Sequence, residues 1–153
     1  MRILLIGVIP QEKGGKNSGG ISTHVWELTL QLKKRQHEVF IFADNFNRQF
    51  NTIENIPVWG TSNKILRAIK LLQNPLFHHT LSTVHKEKRH SLRTAMRFMW
   101  WKYFYESLIK KTNPDLVHSH LISHPITMAH KTSSLTEHIP LLFTVHSFHG
   151  ILF

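Results

Sequence analysis

Residues 1 to 43 hold two apolar runs of strand length on either side of one helix-length segment, and few folds accommodate that order. The first run, "RILLI" at 2 to 6, is continuous rather than alternating and is closed by Gly7. That is the pattern of a strand buried on both faces. The stretch 8 to 20 is polar and glycine-rich and reads as a loop. From Ile21 the apolar residues Ile21, Val25, Leu28 and Leu32 recur at helical spacing. Lys33, Lys34 and Arg35 follow, where cations suit the negative end of the helix dipole. "HEVFIFA" at 37 to 43 is rich in β-branched and aromatic residues and predicts a second strand. Two strands joined by a crossover helix pair in parallel.

The rest of the chain repeats the alternation. A short strand is expected near 56 to 59 ("IPVW"), then a helix over roughly 63 to 73 and an irregular His- and Lys-rich stretch at 74 to 91. A long helix is expected over 92 to 112, broken by Pro114 before a strand in "PDLVHSH". A short helix over 125 to 135 and a strand at 139 to 146 complete the pattern. Strands alternating with helices predict an α/β, doubly wound, Rossmann-like domain with a mainly parallel sheet. With 153 residues there is room for one such domain.

Composition narrows the function classes. No cysteine is present, which excludes disulfide and thiolate chemistry. Gln11, Glu12 and Lys13 follow the first apolar run without a small-residue cleavage site, so a buried strand is expected there rather than a signal peptide. No apolar run reaches the roughly 20 residues that span a bilayer. A cytoplasmic protein is the expectation. The formal charge of +10, with 13 histidines uncounted, predicts attraction to polyanions: nucleic acid, anionic headgroups or phosphorylated ligands.

Three stretches bear on chemistry. In "NSGGISTHV" (17 to 25), Gly19 and Gly20 fall between the first strand and its helix, where α/β sheets place ligands. Glycines there allow close backbone approach, and free N–H groups at a helix start attract phosphate. A connector without a ligand fits the same residues, and neither the dinucleotide fingerprint nor a P-loop is present. Next, His118 and His120 lie two apart at a strand end and face the same side, with His146 ending the following strand and His124 and His149 nearby. Metal ligation, hydrogen bonding to a hydroxyl-rich or phosphorylated ligand, and packing on a His-rich surface all fit that spacing. No thiol is available, however, and Asp44 and Asp115 are the only aspartates. Finally, on the long helix, Arg93, Arg97 and Lys102 are interleaved with Trp100, Trp101 and other aromatics. That combination suits core packing, an anionic membrane surface or, less well, nucleic acid.

"MRILLIG" with "GGISTHVWELTLQLKKRQHEVFIFA", then "PDLVHSHLI", then "IPLLFTVHSFHG", resembles in order and spacing the N-terminal domain of GT-B glycosyltransferases of family 4. These are retaining enzymes that use nucleotide sugars. The resemblance implies that 1–153 is the acceptor-side, Rossmann-like half of a GT-B enzyme, inactive by itself, with the C-terminal donor-binding domain outside it. It assigns the reaction centre to His120, donor or acceptor contacts to Gly19, Gly20, His118 and His146, and acceptor or membrane docking to Arg93, Arg97, Trp100, Trp101 and Lys102. It implies a nucleotide-sugar substrate and an acceptor, no metal and no other cofactor, and no nucleic acid. Peripheral association with the inner face of the membrane fits this reading. The alternative is a non-enzymatic basic module that binds an anionic membrane surface or a partner domain. Gln36 departs from the family pattern, which has glycine in the turn before the second strand. Apolar Ile151, Leu152 and Phe153 imply a missing packing partner.

Overall fold

The computed structural model describes residues 1–16, 19–60, 92–121 and 125–146. The helix expected at 63 to 73, the irregular stretch at 74 to 91, His124, His149 and the three terminal apolar residues lie outside them. Within them run β1 (Arg2–Gly7), α1 (Gly20–Lys34), β2 (Glu38–Ala43), β3 (Phe50–Ile53), β4 (Ile56–Gly60), α2 (Leu92–Thr112), β5 (Leu116–Ser119), α3 (Pro125–Thr132) and β6 (Leu141–Phe143). The described strands form one sheet of order β3-β4-β2-β1-β5-β6, parallel throughout except for β3. The chain is thus an α/β, Rossmann-like domain.

β1 explains the continuous apolar run that opens the sequence. It pairs with β2 along one edge and with β5 along the other. Its side chains alternate between two cores. Ile3 and Leu5 join Val39, Ile41, Val58 and Trp26 of α1 on one face. Leu4 and Ile6 join Phe40, Phe42 and Val117 under α2 and α3 on the other. A strand covered on both faces has no solvent side to reserve for polar residues.

Two differences from the sequence expectation have local causes. β3 was not foreseen: it returns antiparallel to β4 through a two-residue turn at Glu54 and Asn55, with φ of 50° and 60°. Positive φ at both central residues is the type I′ geometry that matches strand twist. Lys33 Nζ donates to the carbonyls of Glu54 and Asn55, which ties that turn to the end of α1. Towards the C-terminus, the expected helix over 125 to 135 stops at Thr132 and the expected strand over 139 to 146 shrinks to Leu141–Phe143. Ser133 is extended, caps a 3-10 turn at Ser134–Thr136 through the Leu135 amide, and donates to Glu106 on α2.

α2 is latched to α3 by a buried polar relay. The Tyr105 hydroxyl lies 2.6 Å from His130 Nδ1, and His130 Nε2 lies 3.0 Å from the Ile139 carbonyl. The carbonyl can only accept, so Nε2–H donates to it and Nδ1 accepts from the tyrosine. Burial raises the Tyr105 pKa and lowers that of His130, which keeps both groups neutral in this arrangement.

The end of α1 accounts for the departure at Gln36. The Gln36 amide donates to the Lys33 carbonyl and the His37 amide to the Leu32 carbonyl, a Schellman closure. It requires a left-handed residue, and Gln36 takes φ 63°. A side chain there costs about 1–2 kcal/mol, which glycine avoids. Gln36→Gly is therefore expected to stabilise the protein by about 0.5–1 kcal/mol after the greater chain entropy of glycine is subtracted. Urea unfolding of the two proteins checks this; an unchanged or lower midpoint counts against the Schellman assignment.

Candidate functional site

The parallel strands β1, β2, β4, β5 and β6 end on one edge of the sheet. From β1 the chain crosses by α1 to β2 on one side, whereas β5 joins β1 on the other. The strand order therefore reverses beside the carboxyl end of β1, which in open α/β sheets leaves a crevice. His120, the first residue past β5, is seated there by its amide, 2.8 Å from the Ile6 carbonyl. Opposite it is Gly7, where a Cβ would come within 2.9 Å of Val25 Cγ2 on α1 and 3.7 Å of His120 Cβ. The absent side chain is what lets α1 and His120 close over the end of β1.

His118 and His120 share one side of the strand end, as their spacing predicts, and their rings stack with centroids 4.5 Å apart. His146 stacks on the other flank of His120 at 5.2 Å, and its Nε2 lies 2.9 Å from His120 Nδ1. His118 Nε2 lies 2.7 Å from Thr144 Oγ1, just past β6. The structure adds a fourth ring that sequence reading did not single out. His24, exposed in the second turn of α1, sits edge-on to His120 at 5.5 Å and to His146 at 5.2 Å. Its signal was available in the spacing: His24 lies four residues after Gly20, on the same helix face.

The electrostatics follow from burial. His120 is 4% exposed, and its Nε2 has no hydrogen-bond partner among the described residues. Desolvation, then the neighbouring His118, His146 and His24, push its pKa down to about 3. Desolvation also lowers His118 and His146, with neighbouring histidines adding to it. These three rings are uncharged at neutral pH, and each can donate from one nitrogen and accept at the other. That suits hydroxyl groups. Among the described residues, no three His, Asp or Glu side chains are placed to share one metal ion.

Gly19 and Gly20 lie at the start of α1. Gly19 is extended, with φ 178°, a conformation open to any residue. Its amide is taken by Ser22 Oγ, which donates in turn to the Gly19 carbonyl. The amides of Gly20, Ile21 and Ser22 precede the first intrahelical bond and have no acceptor among the described residues. A Cβ built on either glycine meets no described residue within 4 Å. The loop leading to them is held in place by Asn45, past β2. Its Oδ1 accepts from the Ile9 amide at 2.9 Å, and its Nδ2 donates to the Ile9 carbonyl at 2.8 Å.

The docking role expected for Trp100 and Trp101 requires correction. Both are buried, at 6% and 5% exposure, in the core under α2, and Trp101 meets Phe42 edge-on at 5.7 Å. The aromatic excess of α2 is used against the sheet, so these rings are not available to a surface ligand or membrane. Lys102 is on the outside and donates to the Thr132 carbonyl at the end of α3, where a cation suits the helix dipole. Arg93 and Arg97 lie in the first turns of α2, and their side chains fall outside the description. No described helix is long and apolar enough to cross a membrane.

The model of Glycosyltransferase Family 4 matches residues 18–151, and the chain belongs to that family. A comparison with curated proteins finds no match. Among solved structures, the chain is similar to the catalytic domain of starch synthase IV from Arabidopsis thaliana bound to ADP and acarbose. That match has a TM-score of 0.42 and 15% identity over 77% of this chain, and the chain spans 27% of the length of that one.

The depressed pKa of His120 makes stability depend on pH. Unfolding restores its ordinary value of 6.5, so between 6.5 and about 3 the unfolded chain binds a proton that the folded chain does not. Stability from this group is complete above 6.5 and falls steadily as pH drops towards 3. Urea midpoints measured through that window are expected to decline less steeply in His120→Gln than in the parent. Equal slopes would show that the ring is not held neutral.

Proposed function

We propose that this chain is the acceptor-side, N-terminal domain of a retaining GT-B glycosyltransferase. It would transfer a sugar from a nucleotide-sugar donor once a second, donor-binding domain closes over the histidine edge. Membership of the family supports the reaction class. Neutral imidazoles at the strand ends supply donors and acceptors fitted to sugar hydroxyls, with His120 nearest the centre of the cluster. His118 and His146 flank it, and the free amides of α1 suit a diphosphate. Positioning two substrates against each other takes groups on both sides of a cleft, and this chain supplies one wall. Transfer therefore belongs to the joined enzyme.

The observation that carries the reading is the open space before Gly19 and Gly20. Neither backbone conformation nor any contact among the described residues excludes a side chain there. A bound group approaching the start of α1 does exclude one. Gly20→Val in the joined two-domain enzyme is expected to leave the thermal midpoint within the small range of surface substitutions, about 0.5 kcal/mol. It is expected to lower sugar transfer at least tenfold, roughly 1.4 kcal/mol of lost transition-state stabilisation. Steady-state transfer assays and thermal unfolding on the same samples check this. Undiminished transfer in a stable variant would sink the placement of donor or acceptor at these glycines.

A further inference from the structure

The four imidazoles at the carboxyl edge of the sheet form a chain of contacts. His118 stacks on His120, His120 is hydrogen-bonded to His146, and His24 meets both His120 and His146 edge-on. α1 contributes His24, β5 and its end contribute His118 and His120, and the segment past β6 contributes Thr144 and His146. β1 contributes the backbone of Ile6 and Gly7. Among the described residues, the charges acting on His118, His120 and His146 come from other histidines alone; no carboxylate or lysine enters. Such a cluster has basic nitrogens in quantity and no counter-charge to keep a proton on any of them.

Resting on the reading of this edge as a diphosphate site, we propose that an anionic diphosphate group binding there brings a proton with it, held by His146 at the rim. The proton comes from the buffer and adds to a ring lone pair; no other bond is made or broken. The buried members are poor hosts. His120 is 4% exposed with an unpartnered Nε2, so a charge on it would be unsolvated, and His118 is engaged with Thr144. His146 is exposed, and a charge on it keeps more of its water than one on His120 would. The cluster takes one proton and not two, because rings about 5 Å apart repel strongly when both are charged. The bound anion supplies the missing counter-charge. Affinity consequently rises as pH falls through the imidazole range, by at most about tenfold per pH unit for a single proton.

The test titrates the chain with inorganic pyrophosphate at neutral pH. Ring signals of His24 and His146 are followed by NMR, and proton uptake in a lightly buffered cell. Saturable binding is expected together with uptake of about one proton and movement of the His146 ring to its protonated position. In a His24→Gln, His146→Gln double variant, changed only at exposed positions, uptake is expected to fall to what pyrophosphate itself takes up. Saturable binding with the His146 ring remaining neutral overturns the proposal and leaves the diphosphate site standing. No saturable binding at millimolar pyrophosphate overturns the reading of the site itself.

Discussion

β1 is hydrogen-bonded along both edges to parallel strands, and the positions of all the other described elements depend on that pairing. A parallel neighbour cannot be reached by a tight turn, so each connection crosses the sheet as a helix or long segment. α1 covers one face, and α2 with α3 the other, which buries both sets of β1 side chains. The chain leaves β1 for α1 on one face of the sheet and leaves β5 for α3 on the other. Between those departures the Ile6 carbonyl is left for the first residue past β5, and His120 takes it. The histidine edge is thus a consequence of topology before it is a matter of side-chain chemistry.

What the sequence made legible was whatever repeats with a period. Continuous apolar runs gave β1 and β2, a 3.6-residue recurrence gave α1, and a two-residue spacing placed His118 and His120 on one side. The features missed lack such a period or depend on packing. β3 is a four-residue strand of mixed polarity, and its turn uses Glu54 and Asn55, neither of them the glycine that usually marks a type I′ hairpin. His24 is one histidine on a helix, and only the seating of α1 against β1 brings it to the cluster. Trp100 and Trp101 misled for the opposite reason. The apolar residues of α2 nearly encircle it, and periodicity cannot say that the sheet on one side and α3 on another use that surface.

Polar groups at the carboxyl edge are satisfied largely by one another. Asn45 closes a reciprocal pair with Ile9, Ser22 does the same with Gly19, His118 meets Thr144, and His120 meets His146. Neutral pairs of this kind fix side-chain direction without burying charge, and an unpaired charge here would be expensive. They also make the exception conspicuous. His120 Nε2 is enclosed and lacks a partner among the described residues, in the one ring that touches all three other histidines.

The glycines separate what the fold requires from what a ligand would require. At Gly15 a Cβ would lie 2.0 Å from the Ile9 carbonyl oxygen, and at Gly60 it would lie 2.3 Å from that of Phe46. Gly7 meets Val25 in the same way. At Gly15 and Gly60 the exclusion is by backbone, so any sequence folding into this shape faces it, whereas at Gly7 it is set by the Val25 side chain. Gly19 and Gly20 face none. Gly19 is the N-cap of α1, where glycine ranks above alanine, whereas Gly20 is its first residue, where alanine is the better helix former. Among the described residues, nothing in the packing therefore requires glycine at position 20.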